Sequence, residues 1–363
     1  MNGIDILDYD GLINIKLKEE FLRRLNKSIR DKFGSKGNMY SILKNKYFLK
    51  IPLSTFKARL KNSYKYYIDS EIIKYSCLEL GISLKEVQTN MIGYKTKRSH
   101  NNILNPKLPI KITPISDMII AHNIADGGLV RPNGRKPYFG YKQFDRKLRE
   151  SYIEKLNFIF GEIKRCNKNA KTVYCPAALT KVLMEYYEMD RNSFLSDKAR
   201  LPDKIKNGNK ESLLAILIAF IIDEGYVDSS GIYIGLKNKG LVDDLKEICD
   251  KLCYDITRGI RKDRIDYIYL KAEALLKFHK DFLNLKNKFP VLNMGYKEEK
   301  LFEFIKRSKK PKRYIKGNKM KVKRLFFEEK MNSNEISKEL NMTRQGVRYH
   351  INRIIKENNI KCS

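Results

Sequence analysis

The chain has 363 residues, 42% of them hydrophobic, which is enough sequence for two or three folded cores. Its net charge of +32 predicts a polyanionic partner, with nucleic acid favoured over an anionic membrane surface. The most apolar run, Leu213 to Ile222, is ten residues long, whereas a membrane span needs about 20. The six cysteines include no Cys-x-x-Cys pair, which argues against structural zinc and favours a reduced, cytoplasmic compartment.

Residues 1 to about 110 are predicted to form a basic, mostly helical domain. Within it, residues 49–61 predict a turn and a helix with Ser54 as N-cap. Arg59 would project from that helix as in the recognition helix of a helix-turn-helix and contact DNA, although a solvated basic helix is an equally good interpretation. Three prolines within residues 105–114 predict a boundary after this block.

Two stretches about a hundred residues apart share one pattern: a small residue, an acid five positions later, and glycine. They are Ala121–Gly127 and Ala219–Gly225. Each acid, Asp126 or Glu224, follows an apolar segment long enough for a helix. An acid at a helix C-terminus destabilises the helix by roughly 0.3–1 kcal/mol, because the macrodipole is negative there. A duplicated unfavourable feature beside free helix carbonyls predicts a site for a hard divalent cation.

The similarity of the two halves extends beyond this pattern. Residues 111–200 and 201–300 each predict a hairpin after the acid, then an amphipathic helix, a second strand pair and a closing helix. The hairpins cover residues 128–142 and 226–237, and the second strand pairs lie near 162–175 and 255–270. We therefore expect an α+β fold, with a duplicated helix-strand-strand-helix-strand-strand-helix body of internal pseudo-two-fold symmetry.

Residues 301–363 combine a charge run with a second helix-turn-helix pattern. Eleven of the nineteen residues 306–324 are Lys or Arg, which indicates either a solvated tether or a phosphate-binding segment. Residues 333–354 predict two short helices around a turn, with Ser333 and Thr343 as N-caps. Arg344, Gln345 and Arg348 would face outward and contact DNA.

The nine-residue stretches 119–127 and 217–225 resemble the signature of the LAGLIDADG homing endonucleases. Two motifs in one chain resemble the monomeric, archaeal-type members, over roughly residues 112–300. The first motif departs from the signature at its fourth position, where His122 is expected to be a satisfied interface histidine and not a ligand. Asp223, beside Glu224, is expected to be a pairing group and not the primary acid.

The resemblance implies an antiparallel saddle sheet that straddles double-stranded DNA, with one terminal acid near each scissile phosphate. It implies that Asp126 and Glu224, with backbone carbonyls at Gly127 and Gly225, hold Mg²⁺ or Mn²⁺. It also implies supporting residues at the end of the second strand of each repeat: Lys142 and Gln143 in the first, Lys237 in the second. Basic residues in the first hairpin would touch DNA, namely Arg131, Arg135 and Lys136.

These patterns predict a site-specific homing-type DNA endonuclease, acting at the nucleoid, that breaks both strands by Mg²⁺-dependent phosphodiester hydrolysis. A non-catalytic transcriptional regulator is one alternative, because a LAGLIDADG body joined to a helix-turn-helix also resembles bacterial sporulation regulators that lost cleavage. The retained Asp126 and Glu224 argue against it. An RNA-splicing maturase is the other alternative. A splicing intein begins with a nucleophilic residue and ends with His-Asn, whereas this chain begins with Met1 and ends with Ser363. This difference favours a freestanding protein.

Overall fold

A computed structural model describes residues 3–9, 11–61, 66–97, 99, 101–130, 137–164, 170–228, 231–308 and 318–359. The chain divides into two compact units, Met1–Glu303 and Phe304–Ser363. Within the described ranges, no helix has both the length and the apolar character that crossing a membrane requires. Parts of the two predicted hairpins (131–136 and 229–230), and most of the charge run (309–317), lie outside these ranges.

The N-terminal block of the first unit contains strands as well as the expected helices. After a 3-10 turn at Ile6–Asp8, its elements are β1 (Ile13–Leu17), α1 (Glu19–Phe33), α2 (Lys36–Tyr47), α3 (Leu53–Lys61), β2 (Ile68–Asp69), α4 (Ser70–Leu80), α5 (Leu84–Thr89), β3 (Met91–Thr96) and β4 (Asn102–Leu104). Helix α3 begins at Leu53, and Phe56 N–H donates to the Pro52 carbonyl. Ser54 therefore lies inside the first turn, and its prediction as N-cap is wrong.

The two repeats follow with the expected order of elements. The first consists of α6 (Pro114–Ala125), β5 (Leu129–Val130), β6 (Tyr138–Lys142), α7 (Arg146–Phe160), β7 (Glu162–Ile163), β8 (Thr172–Tyr174) and α8 (Ala177–Tyr186). A 3-10 turn (Asn192–Phe194) and α9 (Asp203–Lys206) lead to the second, which consists of α10 (Lys210–Asp223), β9 (Gly225–Val227), β10 (Gly231–Leu236), α11 (Lys239–Lys251), β11 (Ile256–Ile260), β12 (Asp266–Lys271) and α12 (Ala272–Lys288). The predicted α+β class and the duplicated order are confirmed.

Helices α6 and α10, which carry the two motifs, pack against each other. Residues 114–124 of the first and 212–222 of the second are all buried. Such helices are apolar on nearly every side, as expected for helices inside a protein core. Ala121, Ala215 and Ala219 are fully buried, and side chains this small allow two helix backbones to approach closely.

Each repeat has its own antiparallel sheet, and the two sheets differ in one strand. The second repeat forms a four-stranded sheet in the order β11-β12-β10-β9, and the first forms β5-β6-β8. Strand β7 pairs instead with β4, through Ile103 and Ile163, in the five-stranded sheet β2-β1-β3-β4-β7. The N-terminal block thus shares a sheet with the first repeat, and the proline-containing segment 105–114 lies inside one compact unit.

Helix α13 (Tyr296–Ser308) is followed in the second unit by α14 (Asn318–Lys323), a π-helical turn (Arg324–Glu328), α15 (Ser333–Glu339) and α16 (Arg344–Asn359). The core of this unit is formed by six residues: Val322, Leu325, Ile336, Val347, Ile351 and Ile354. Helix α15 is capped by Asn332, whose side chain accepts from Glu335 N–H at 3.1 Å, and not by Ser333 as predicted. Thr343 does cap α16, since its Oγ1 accepts from Gly346 N–H at 3.1 Å.

Candidate functional site

The two motif acids immediately follow the last residues of their helices. Asp126 is the C-cap of α6, with its N–H donating to the His122 carbonyl at 3.1 Å, and Glu224 is the C-cap of α10, with its N–H donating to the Phe220 carbonyl at 2.9 Å. The expected placement of a carboxyl group at each helix C-terminus is what the structure shows.

Glycine follows each acid because the chain passes close to the helix it has just left. A Cβ atom at Gly127 would lie 2.7 Å from the Asn123 Cα, and one at Gly225 would lie 2.6 Å from the Ile221 carbonyl oxygen. Both distances are too short for a side chain. Glycine therefore lets each strand start directly beside the helix end, which holds both acids at the rim of the helix pair.

The carboxyl groups at this rim disfavour one another's charge. Burial, followed by the nearby charges of Asp223 and Glu224, raises the pKa of Asp126 to about 7. Burial and then Asp223 raise the pKa of Glu224 as well. Two acids with raised pKa values at adjoining helix ends form a site where a bound cation would be stabilising.

Asp223 links the two repeats through polar contacts. Its Oδ2 lies 2.7 Å from Nδ1 of His122, and its Oδ1 accepts from the Tyr141 hydroxyl at 2.7 Å. Burial lowers the pKa of His122, against the opposing effect of Asp223, so a neutral imidazole donating from Nδ1 to the carboxylate fits this geometry. His122 lies at the helix interface and Asp223 is its partner, as predicted, but among the described residues the buried Nε2 of His122 has no hydrogen-bond partner, so the histidine is satisfied at one ring nitrogen only.

Lys297, at the start of α13, is a member of the site that the sequence did not reveal. It is only 5% exposed, and its Nζ donates to the carbonyls of Ile221 at 2.9 Å and Ile222 at 2.6 Å. Burial lowers its pKa, while Asp223, Asp126 and Glu224 raise it. A cation at the carboxyl end of α10 offsets the helix dipole there. The lysine lies 73 positions after Glu224 in a chain with many lysines, so no local signal distinguishes it.

The supporting residues predicted from the strand ends fall into different environments. Gln143 contacts Asp126, donating from Nε2 to Oδ2 at 3.0 Å. Lys142 is exposed, with its Nζ 5.9 Å from the centre of the Phe144 ring. Lys237 is also exposed.

The strand register shows which residue of the second repeat corresponds to Gln143. In the first repeat Leu129 pairs with Phe139 and Lys142 N–H donates to the Asp126 carbonyl, which places Tyr141 opposite Gly127. In the second repeat Ile234 pairs with Gly225. The residue equivalent to Gln143 is therefore Leu236, and Lys237 lies one position beyond it.

The polar groups around the acids belong almost entirely to the first repeat. Its residues and their second-repeat equivalents are His122 and Phe220, Asn123 and Ile221, Tyr141 and Ile234, and Gln143 and Leu236. Asn123 donates to the Tyr152 hydroxyl at 2.8 Å, which extends the network into α7. The two acids therefore lie in different surroundings, although their helices are related by duplication.

The residues predicted to contact DNA are spread over the chain. Arg344, Gln345 and Arg348 are exposed on α16. Arg59 is partly buried, with Nη1 donating to the Tyr67 carbonyl at 3.3 Å. Arg131, Arg135 and Lys136 lie outside the described residues.

A divalent cation fits this site by the chemistry of its donors. Asp126 and Glu224 supply hard carboxylate oxygens, the type that Mg²⁺ prefers. Their pKa values are raised first by burial and then by neighbouring carboxyl groups, so a bound cation would favour their ionised forms. Among the described residues, no three His, Cys, Asp or Glu side chains converge on one point. Further oxygen ligands would have to come from backbone carbonyls, water or substrate.

No protein-family model matches the chain, and no curated protein gives a significant match. Among solved structures, mesophilic variants of the homing endonuclease I-DmoI match at 16% identity and a TM-score of 0.35, covering 47% of this chain and 96% of that one. The homing endonuclease I-WcaI bound to its DNA recognition sequence matches at 17% identity and a TM-score of 0.34, with coverages of 52% and 87%.

A third solved structure, full-length DUF199/WhiA from Thermatoga maritima, matches at 11% identity and a TM-score of 0.33, covering 68% of this chain and 93% of that one. The LAGLIDADG homing endonucleases to which the two motifs are similar are thus found among the structural matches too. Because all these TM-scores lie below 0.5, the activity of this chain has to be inferred from its own site.

Replacing Asp126 by Asn should make the metal-free protein more stable at high pH. A carboxyl whose pKa is raised from 3.8 to about 7 on folding favours the folded state below its unfolded pKa, and this contribution is lost as pH rises through about 7. The gain in melting temperature of D126N over the wild type should therefore grow from pH 4 to pH 7 and stay level above. Thermal unfolding in EDTA measures it. The exposed Asp197→Asn should show no such trend, and a pH-independent gain in D126N would contradict the assignment.

Replacing Lys297 by Met should raise the pKa of Asp126 beyond about 7, because Lys297 is the cation that lowers it. The Asp126 carboxyl can be titrated by ¹³C NMR of protein labelled at aspartate. Lys300→Met is the matched control, since Lys300 is exposed on the same helix, with its Nζ 5.3 Å from the Tyr226 ring centre. An equal shift in both variants, or a downward shift in K297M, would show that Lys297 does not act on the acids.

Proposed function

We propose that the chain is a DNA endonuclease of the homing type that hydrolyses one phosphodiester bond in each strand of a specific duplex site, with Mg²⁺ or Mn²⁺ as cofactor. The observation that carries the proposal is the pair Asp126 and Glu224, held side by side at the ends of two buried, packed helices. Their raised pKa values and the chain's net charge of +32 fit a site for cations and a polyanionic substrate.

Asp126 and Glu224 would hold the metal together with backbone carbonyl oxygens at Gly127 and Gly225. When bound, the metal polarises a phosphoryl oxygen, activates water and stabilises the leaving oxygen. Gln143 orients the Asp126 carboxyl group through its amide. Lys297 supplies positive charge behind the acids and holds the end of α10, while the pair formed by His122 and Asp223 fixes the two helices against each other.

Substrate binding would use the basic surfaces. Arg131, Arg135 and Lys136 in the first hairpin would contact the duplex near the site. Exposed Arg344, Gln345 and Arg348 on α16 stand where a recognition helix presents its base-reading side chains. As one chain with two acids, the protein would act as a monomer with internal pseudo-two-fold symmetry, on DNA in the cytoplasm.

A second candidate is a DNA-binding regulator without cleavage. The observation that favours it is the folded helix-turn-helix unit, with its own core and capped helices. A regulator needs no pair of acids with raised pKa values, however, so the endonuclease explains more of the molecule.

Purified protein with Mg²⁺ should cut both strands of long duplexes that include its own genomic neighbourhood, and EDTA should stop the reaction. Asp126→Asn and Glu224→Gln should each lower the rate of double-strand breakage at least about a hundredfold, since each removes a metal-holding carboxylate. Asp197→Asn should cut as the wild type does. Tight duplex binding without cutting would support the regulator, and stimulation of intron splicing would support a maturase.

The two strands should be nicked at different rates, because Gln143 supports Asp126 whereas its equivalent, Leu236, cannot donate a hydrogen bond to Glu224. Gln143→Ala should slow one strand about tenfold and leave the other nearly unchanged. Substrates labelled on each strand, analysed on denaturing gels, give the two rates. Leu236→Ala removes no polar contact and is the control. Equal slowing of both strands by Q143A would show that the acids do not divide the strands between them.

A further inference from the structure

A groove of about 450 Å³ in the N-terminal block lies away from the acids and contains none of the motif residues. Strands β1, β2 and β3 and helix α3 contribute to it. Its charged and aromatic members are Arg59, Tyr66, Tyr67, Asp69, Lys95 and Lys97. Its volume falls in the range of small-ligand sites, about 300–1,000 Å³, which is far too small to enclose a double helix.

The strand register explains why these side chains share one face of the sheet. Asn14 of β1 pairs with Lys95 on one side and with Asp69 on the other, so the three residues lie side by side. Lys97 follows Lys95 by two positions and points the same way. Thr96, which lies between the two lysines, and Tyr94, which precedes Lys95, are buried on the opposite face of the sheet.

Two of the three cations in the groove are available to bind an anion. Lys97 is paired with Asp69, its Nζ 2.7 Å from Oδ1. Within the described part of the chain, neither Arg59 nor Lys95 pairs with a carboxylate. Arg59 uses one donor on the Tyr67 carbonyl, and Lys95 Nζ lies 5.0 Å from the centre of the Tyr67 ring. An arginine with free donors beside a lysine is a suitable phosphate-binding pair.

The aromatic residues give the groove a second kind of contact. Tyr66 is 58% exposed, so the larger part of its ring faces solvent. Tyr67 is half-buried. A Cβ atom at Gly93 would lie 3.1 Å from the Tyr67 hydroxyl oxygen, so the glycine leaves room for this side chain against the sheet. Exposed aromatic rings next to cations in a groove are typical of sites that bind single-stranded nucleic acid through its bases and phosphates.

We propose that this groove binds one nucleotide unit of single-stranded nucleic acid, with a phosphate between Arg59 and Lys95 and the base against Tyr66. A base inside a duplex is stacked and paired, so it cannot enter a groove of this size. The site therefore selects unpaired strands. The proposal goes beyond the proposed cleavage, since the groove shares no residue with the acids.

Photo-crosslinking tests it on the full chain, in EDTA so that no strand is cut. The probe is a single-stranded oligonucleotide of about twelve residues, within the range that such sites occupy, carrying 5-bromodeoxyuridine, and the crosslinked peptide is identified by mass spectrometry. We expect crosslinks at Tyr66. The double variant R59A/K95A should reduce their yield about tenfold, and Y66A should abolish them, whereas Y66F keeps the ring and should retain them.

The control for charge is K27A/K85A, which removes two lysines that are exposed on α1 and α5 of the same block. An equal loss of yield in this variant would show a non-specific effect of net charge and overturn the proposal. Crosslinks confined to other peptides, or equal crosslinking of Tyr66 to a duplex of the same sequence, would also overturn it. Because no metal or cleavage enters the experiment, D126N/E224Q should behave as the wild type does, whatever the outcome for the endonuclease.

Discussion

The packing of α6 against α10 is the contact on which the site depends. Both helices are buried along nearly their whole length, and small residues such as Ala121, Ala215 and Ala219 let them approach each other. Neither helix could present an acid to solvent along its sides without loss of packing. Asp126 and Glu224 follow the buried segments and are only partly buried, so they lie together at the edge of the helix pair.

This arrangement concentrates negative charge where the helix dipoles are also negative. The protein compensates from outside the motifs. Lys297, from α13, donates to two carbonyls at the end of α10, while His122 and Tyr141 bind the third carboxylate, Asp223. Burial first, and then the charges of Asp223 and Glu224, raise the pKa of Asp126 to about 7. A divalent cation would favour the ionised carboxylates against both effects, which agrees with the function proposed from the acids.

The sequence predicted the parts of this site that local patterns encode. Apolar runs that end in an acid and glycine gave the two helices and their caps, and repetition gave the duplicated fold. Lys297 could not be found this way, because its role arises from a tertiary contact 73 positions away from Glu224. The equivalence of Gln143 and Leu236 could not be found from the sequence for a similar reason: strand register is set by pairing, and one residue of shift changes which side chain meets the acid. Strand β7 pairs with β4 because the N-terminal block offers it an edge that repeat symmetry does not predict.

The two motif helices share one pattern, but the polar residues around them differ between the repeats. At equivalent positions, the first repeat has His122, Asn123, Tyr141 and Gln143, whereas the second has Phe220, Ile221, Ile234 and Leu236. Asp223 has no acidic equivalent in the first motif, where Ala125 stands, and its partners His122 and Tyr141 come from the other repeat. This network joins Asp223 of the second repeat to two residues of the first, and Ser212 of α10 forms a separate polar contact with Asp117 of α6. The network joins the repeats more specifically than apolar packing alone would, whereas at Glu224 the charge of Lys297 opposes the effects of burial and Asp223, which raise the pKa.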